Sequence, residues 1–162
     1  MATQIKRILV PIDFSENSLV AEELADIQAE AFNATVHLLH VMDNSAYEAE
    51  FQKGMMGEAL IPHLIESVPA SSEMGQRIKT FADKAQAELD QFAKGGTVPH
   101  KTMLKHGPVV ETILATIAEF KPDLLVMCTH GSTGLEHLLM GSVTEKVVRL
   151  SPVPVLTCRA KK

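Results

Sequence analysis

Nearly continuous apolar runs alternate along the chain with stretches in which apolar residues recur every three or four positions. Continuous runs are typical of strands that are buried on both faces of a parallel sheet. They predict four strands, over residues 5–12, 35–42, 123–128 and 153–158, and a weaker fifth over residues 98–104.

Amphipathic helices are predicted between these strands. The first begins after an N-cap at Ser15 and ends near Asn33. Its apolar face is predicted at Val20, Leu24, Ile27 and Ala31. The second ends at Gly95 and has its apolar face at Ile78, Phe81, Ala82, Ala85, Leu89 and Phe92. The third ends before Pro122 and has its apolar face at Val110, Ile113, Leu114 and Ile117, and a fourth begins at Ser142.

Because strands and helices alternate throughout, we expect an α/β fold. It is a three-layer, doubly wound domain with a five-stranded, mostly parallel sheet in the order 3-2-1-4-5 and helices on both faces. In such a sheet a ligand lies outside the carboxyl ends of strands 1 and 4, where the winding direction reverses. Those ends are residues 11–15 and 128–134.

Length and composition favour one globular domain over residues 1–162, with a helical excursion at about 43–75 to which we assign no chemistry. The formal net charge of -5 and the 4% aromatic content argue against a nucleic-acid partner. No apolar run is long enough for a signal peptide or a membrane span, and the Cys128 and Cys158 thiols fit a reducing compartment. A cytoplasmic location is therefore expected.

Glycines and hydroxyl residues follow the fourth predicted strand. Gly131, Gly134 and Gly141 make the backbone approachable, and Ser142 and Thr144 lie in the first turn of the fourth helix. The amide groups of that turn point toward a bound anion, so the segment predicts a phosphate site. An alternative is a capping box in which Ser142 and Glu145 satisfy the helix end without any ligand.

A Walker A loop has a lysine directly after its last glycine, whereas Gly141 is followed directly by Ser142, so the segment is not a Walker A loop. Amide dipoles, hydroxyl groups and a divalent cation carried on the phosphates, Mg²⁺ or Mn²⁺, would offset the phosphate charge instead. Asp13 ends the first strand beside this segment and could accept hydrogen bonds from a ribose or an adenine amine. Its alternative role is that of an acid at a helix start.

The remaining candidate residues give weaker signals. His130 could touch phosphate, although a solvated loop histidine is the simpler interpretation. Cys128 has no base nearby in sequence and is expected to be a buried thiol at a strand end, near Cys158 on the adjacent strand. Neither a catalytic triad motif nor the ligand spacing of a metal site is present in the sequence.

Five segments together resemble the universal stress protein family along essentially the whole chain. They are residues 8–15 (ILVPIDFS), 39–41 (LHV), 129–134 (THGSTG), 141–145 (GSVTE) and 152–156 (PVPVL). Nucleotide-binding members carry the motif glycine, two residues, glycine, nine residues, glycine and serine or threonine. This chain has Gly131, Gly141 and Ser142 at the matching positions but Cys128 in place of the first glycine.

The resemblance implies an ATP pocket at the end of the first strand and around the glycine segment. Its residues would be Pro11, Asp13, Val41, Met127, Gly131, Gly134, Gly141, Ser142, Val143 and Thr144. It also implies a cytoplasmic homodimer, and the apolar last strand, with Val153, Val155 and Leu156, fits an edge that pairs with a second copy. The function expected is that of an ATP-binding stress-response or regulatory protein. A nucleotide-free scaffold or chaperone, and a slow ATP phosphohydrolase, are the alternatives.

Overall fold

Strands and helices alternate through the residues that the computed structural model describes, which are 4–43, 68–129 and 141–159. The strands are β1 (Arg7–Ile12), β2 (Thr35–Met42), β3 (His100–His106), β4 (Leu124–Cys128) and β5 (Val155–Cys158). The helices are α1 (Glu16–Phe32), α2 (Glu73–Ala93), α3 (Val109–Phe120) and α4 (Ser142–Leu150). Residues 44–67 of the predicted excursion lie outside the described residues, and α2 begins within its last three positions.

The described strands form one five-stranded sheet in the order β3-β2-β1-β4-β5. Every neighbouring pair is parallel. The predicted order is therefore confirmed, and the sheet is parallel throughout the described residues rather than mostly so. In the register, Ile12 lies opposite His40 and Cys128 lies opposite Cys158. These pairs mark the carboxyl ends of the strands.

Side chains alternate between two apolar layers, one on each face of the sheet. Ile8, Val10 and Val126 belong to the layer beneath α1 and α2, which we call the α1-side layer. Leu9, Leu39 and Leu125 belong to the layer beneath α3 and α4, which we call the α3-side layer. Helices therefore cover both faces, as predicted. Because successive strand residues alternate between the two layers, neighbouring residues at the carboxyl ends of β1 and β4 lie on opposite faces of the sheet. The site is built at these strand ends.

The apolar face predicted for α1 is wrong in part. Ile27 is 61% exposed, whereas Ala21, Ala25 and Ala29 are buried against the sheet. Small alanines let the helix axis approach the strands closely, and the buried face also includes the acidic residues Glu22 and Asp26. The larger apolar residues are displaced to the sides of the helix. The predicted ends of α1 are confirmed, with Ser15 as N-cap and Asn33 as a left-handed C-cap at φ 53°.

The edge strand β5 is shorter than predicted. It begins at Val155 because Pro152 and Pro154 precede it, although the Pro154 carbonyl still accepts a 2.9 Å hydrogen bond from the Leu125 amide. A proline has no amide hydrogen to donate to a ladder, which limits where pairing can start. β3 is shifted by two residues toward the C-terminus relative to the prediction.

Candidate functional site

A cleft of about 740 Å³ opens at the carboxyl ends of β1, β2 and β4. It lies where the chain leaves β1 toward α1 on one face and where α4 begins on the other, so it occupies the predicted reversal point. Of the predicted site residues, those on the cleft wall are Pro11, Asp13, Val41, Met127, Gly141, Ser142, Val143 and Thr144. Gly131, Gly134 and His130 lie outside the described residues.

The N-terminus of α4 forms one wall of this cleft. Gly141 is the N-cap and offers no side chain to cap the helix, and Ser142 is the first helical residue. The capping-box alternative is therefore wrong, since it needs Ser142 at the cap position. The amides of Ser142, Val143 and Thr144 precede the first intrahelical bond, which Glu145 donates to the Gly141 carbonyl at 2.9 Å. These amides give the cleft a positive electrostatic end.

Gly141 has φ -67° and ψ 149°, a conformation that any residue adopts. Its glycine identity is therefore not demanded by the backbone. The Gly141 amide donates a 2.6 Å hydrogen bond to the Thr129 carbonyl, which fixes the start of α4 against the end of β4. A missing side chain at a fixed position on a cleft wall leaves room for a ligand to approach the helix end closely.

Thr144 is buried, and its hydroxyl donates a 2.9 Å hydrogen bond to the Cys128 carbonyl. The hydroxyl proton is thus used within the protein, where it links α4 to the last residue of β4. Among the two predicted hydroxyl groups, Ser142 is the exposed one on the cleft wall. Ser142 is consequently the better placed of the two hydroxyl groups to meet a ligand.

Asp13 holds the opposite wall at the start of α1. Its Oδ1 atom accepts hydrogen bonds from the Ser15 amide at 3.1 Å, the Ser15 hydroxyl at 2.6 Å and the Ser18 hydroxyl at 2.7 Å. The role of an acid at a helix start is therefore present in the structure. The residue is exposed and also lines the cleft, so this helix-start role orients its carboxyl group beside a ligand.

Phe14 and His40 are cleft residues that the sequence analysis missed. Phe14 has a left-handed backbone with φ 61°, and its ring lies 4.4 Å from that of His40. His40 Nδ1 lies 3.0 Å from the Ile12 carbonyl, so both rings are fixed at the end of β1. Backbone strain in a non-glycine residue concentrates at functional sites. The sequence did offer one signal for them, because Phe14 directly follows Asp13 and His40 directly precedes Val41, and both of those neighbours are predicted site residues.

Helix α2 supplies charge to the cleft. Among the described lining residues the carboxylates are Asp13, Asp43 and Glu88, and the sole ammonium or guanidinium group belongs to Lys84. Phe81 and Ala85 bring apolar surface from the same helix. The described wall is therefore acidic apart from the amide groups of α4, and a strongly anionic ligand would need a compensating cation.

Cys128 occupies the position where nucleotide-binding members of the resembled family have their first glycine. Its side chain belongs to the α1-side layer, whereas Val41, Met127 and Val143 contribute to the α3-side layer. The substitution therefore directs its thiol away from the wall that Val41 and Met127 share with the start of α4. The carbonyl of Cys128 remains available to Thr144 as described above.

None of the described helices is long and apolar enough to cross a membrane. No group of three or more histidine, cysteine, aspartate or glutamate side chains in residues 4–43, 68–129 and 141–159 is arranged to hold a metal ion.

Comparison with known proteins extends over nearly the whole chain. The model of the Universal stress protein family matches residues 4–159. Universal stress protein MJ0531 of Methanocaldococcus jannaschii is 32% identical over 157 residues, which cover 97% of this chain and 84% of that protein. Universal stress protein MJ0577 of the same organism is 29% identical over 170 residues, which cover 99% of this chain and 99% of that protein. Its solved structure matches with a TM-score of 0.68 and 26% identity over 98% of this chain and 99% of that chain.

Solved structures with this fold include nucleotide complexes. One universal stress protein was solved in complex with cAMP and matches with a TM-score of 0.56 at 22% identity, over 96% of this chain and 98% of that chain. Another, from Archaeoglobus fulgidus, was solved in complex with dAMP and matches with a TM-score of 0.58 at 14% identity, over 95% and 98%. The family model, the relatives and the sheet order agree, and the chain belongs to the universal stress protein family.

Proposed function

We propose that this protein binds ATP in the cleft between β1 and α4 and acts as a stress-response or regulatory protein whose state depends on the bound nucleotide. The observation that carries the proposal is that Asp13, Val41 and Met127 line the same cleft as the start of α4, where no side chain caps the first-turn amides. A nucleoside would lie against the ends of β1 and β2. Its phosphates would point at the amides of Ser142, Val143 and Thr144.

The solved complexes of family members with cAMP and dAMP support a nucleotide as the ligand class. ATP is favoured here over a monophosphate because α4 begins with a glycine cap, three amides and the exposed Ser142 hydroxyl, enough donors for several phosphate oxygens. Gly131, which the family motif includes, and Gly134, which follows it in sequence before Gly141, belong to the same proposed phosphate segment.

A divalent cation, Mg²⁺ or Mn²⁺, would accompany the nucleotide. The described carboxylates of the cleft, Asp13, Asp43 and Glu88, outnumber its one described cationic side chain, Lys84, so free ATP would meet net negative charge in the cleft. A cation carried on the phosphates reduces that repulsion and accepts oxygen ligands from the nucleotide itself.

The nucleotide is proposed to be held rather than turned over rapidly. Arg149, the arginine nearest to the phosphate segment in sequence, is exposed in the last turn of α4, at the end of the helix opposite Ser142. A guanidinium group that far along the helix is not positioned to stabilise charge on transferring phosphoryl oxygens.

Calorimetric titration of the protein with ATP and Mg²⁺ tests the assignment. Ser142→Asp places a carboxylate beside the proposed phosphates while an acid in the first helical turn still favours the helix. We expect this variant to weaken ATP binding about tenfold or more without lowering the unfolding temperature.

The matched control is Ser71→Asp, which makes the same change at an exposed position before α2, outside the cleft. It should bind ATP like the wild type. Equal affinities for wild type and Ser142→Asp would remove the start of α4 from the phosphate site. Absence of binding by the wild type at millimolar ATP would favour the nucleotide-free scaffold.

We also propose that the protein is a cytoplasmic homodimer that pairs through β5. Val153, Val155 and Leu156 are half-buried at this edge of the described sheet and pack against its two apolar layers. A second copy would cover the edge and satisfy its open ladder. Val155→Lys should give a monomer in analytical ultracentrifugation, and a dimer that persists unchanged would exclude this edge.

A further inference from the structure

Cys128, which lines the cleft, forms a pair with Cys158 on the adjacent strand. They are the only cysteines of the chain, they end adjacent parallel strands, and their Cα atoms are register partners. Both side chains belong to the α1-side layer, so they lie on the same face of the sheet. Neighbouring strands are about 4.8 Å apart, which falls within the Cα separation of about 4.4–6.8 Å that a disulfide requires.

We propose that Cys128 and Cys158 are a reversible dithiol–disulfide pair that lowers nucleotide affinity when it is oxidised by a peroxide. This inference rests on the proposed function, because the affinity it regulates is that of the cleft for ATP. The two thiols are free in the structure.

Backbone hydrogen bonds connect the pair to the start of α4. The Cys128 carbonyl accepts the Thr144 hydroxyl at 2.9 Å, and the Cys158 carbonyl accepts the Thr129 amide at 2.8 Å. The Thr129 carbonyl in turn accepts the Gly141 amide at 2.6 Å. A displacement of either strand end is thus transmitted directly to the residues that begin the proposed phosphate site.

Oxidation would produce such a displacement. The Cβ atoms of register partners stand about one strand spacing apart, whereas a disulfide brings them to about 3.8 Å. Closing this gap draws the ends of β4 and β5 together and moves the Cys128 carbonyl away from Thr144. The strain also makes the bond easier to reduce, which is typical of regulatory rather than structural disulfides.

The chemistry assigns a different step to each sulfur. Cys128 is buried but belongs to the lining of the cleft, whereas Cys158 does not, so we assign the first step to Cys128, whose sulfur attacks one peroxide oxygen. The O–O bond breaks, one water leaves, and a sulfenic acid forms. The Cys158 sulfur then displaces the sulfenic oxygen as a second water, so two thiols lose two electrons and two protons to the peroxide.

The surroundings of Cys158 fit this second step. Burial, together with the adjacent Cys128 thiol, raises the pKa of Cys158 to about 12, and its Sγ lies 3.6 Å from the Met127 carbonyl. A thiol that is so little ionised attacks peroxide slowly, because the thiolate is the nucleophile. Attack on the sulfenic acid also uses the Cys158 thiolate, and the fixed position of the two sulfur atoms on one face of the sheet offsets its small fraction.

The test uses the full chain in its reduced form and after treatment with hydrogen peroxide. Remaining thiols are alkylated with iodoacetamide and counted by mass spectrometry, and ATP affinity with Mg²⁺ is measured on the same samples. We expect an intramolecular disulfide, ATP affinity about fivefold weaker or lower still, and full recovery after dithiothreitol. Cys158→Ser, which lies outside the cleft wall and cannot form the disulfide, should lose less ATP affinity after peroxide than the wild type.

The outcomes separate the two proposals. Two alkylated thiols after peroxide, or a disulfide with unchanged ATP affinity, would overturn the redox inference and leave the proposed function standing. A loss of affinity after peroxide in Cys158→Ser that matches the wild type would also overturn it, since that variant cannot form the disulfide. Failure of the reduced wild type to bind ATP would overturn the proposed function and with it the regulatory step.

Discussion

His100 at the start of β3 lies against Asp26 of α1, with 2.6 Å between His100 Nε2 and Asp26 Oδ1. The histidine side chain is fully buried, and its Nδ1 atom lies 3.2 Å from Oε1 of Glu22, one turn earlier on the same helix. Asp26 also accepts the Thr97 amide at 2.6 Å. A single imidazole therefore anchors the buried acidic face of α1 to the sheet.

Replacing this imidazole should destabilise the protein. His100→Gln leaves Glu22 and Asp26 buried without their cationic partner, and breaking a buried ion pair costs about 3 kcal/mol or more. Chemical denaturation measures the change in the free energy of unfolding. Lys101→Gln, at the exposed neighbouring position of β3, should change it by less than about 0.5 kcal/mol. Equal losses for both variants would show that the His100 contact contributes little.

The same contact gives stability a dependence on alkaline pH. Burial alone lowers the pKa of His100, but the Glu22 and Asp26 carboxylates together outweigh it and raise the pKa above the ordinary 6.5. A raised pKa in the folded state means that the contribution is complete below about 6.5 and is lost as pH rises through the folded value. Unfolding free energies measured from pH 6 upward should fall in the wild type, and His100→Gln should lack this decrease.

His37 on β2 should show the opposite dependence. Burial, and then the positive charges of Lys101 and Arg7, lower the pKa of His37, whose ring packs 4.5 Å from that of Phe120. A lowered histidine pKa favours the neutral form in the fold, so stability is retained above 6.5 and lost as pH falls toward the folded value. Denaturation curves for His37→Gln between pH 7 and 5 should decline less than those of the wild type. A steeper decline would contradict the assignment.

The sheet and its order could be predicted from sequence because β1, β2 and β4 are buried on both faces, and continuous apolar runs are an unambiguous signal of such strands. The face of α1 could not. Its burial is carried by alanines and by two acidic residues whose partner, His100, comes from a distant strand. A search for large apolar residues at helical spacing does not detect a buried face made of alanines and acidic residues.

The candidate site divides in the same way. Gly141, Ser142 and Asp13 could be predicted because local patterns place them at the end of a strand or the start of a helix. Phe81, Lys84 and Glu88 could not, since they reach the cleft only through the packing of α2, a helix distant in sequence from β1. The hydrogen bond from the Thr144 hydroxyl to the Cys128 carbonyl likewise becomes evident only in the folded structure.

The hydroxyl of Thr144 is expected to matter more for stability than that of Ser142. Thr144→Val keeps the shape but leaves the buried Cys128 carbonyl without its donor, which costs about 1–3 kcal/mol. Thr144→Ser retains the donor and should lose less. Ser142→Ala removes an exposed hydroxyl and should stay within about 0.5 kcal/mol of the wild type. Thermal unfolding of the three variants distinguishes these roles, and a Thr144→Val protein as stable as the wild type would refute the link.

The excess of carboxylates on the described cleft wall predicts how ATP binding depends on the divalent cation. Removing Mg²⁺ with a chelator should weaken ATP binding about tenfold, because the described lining holds three carboxylates, those of Asp13, Asp43 and Glu88, and one cationic side chain, that of Lys84. Glu88→Lys should reduce this dependence by placing a second cation on the α2 wall beside Lys84. Asp83→Lys, an equivalent change at an exposed position of α2 that does not line the cleft, should leave the dependence intact. Titrations of the three proteins with and without Mg²⁺ decide the point, and identical cation dependence in Glu88→Lys and Asp83→Lys would show that the α2 wall does not face the phosphates.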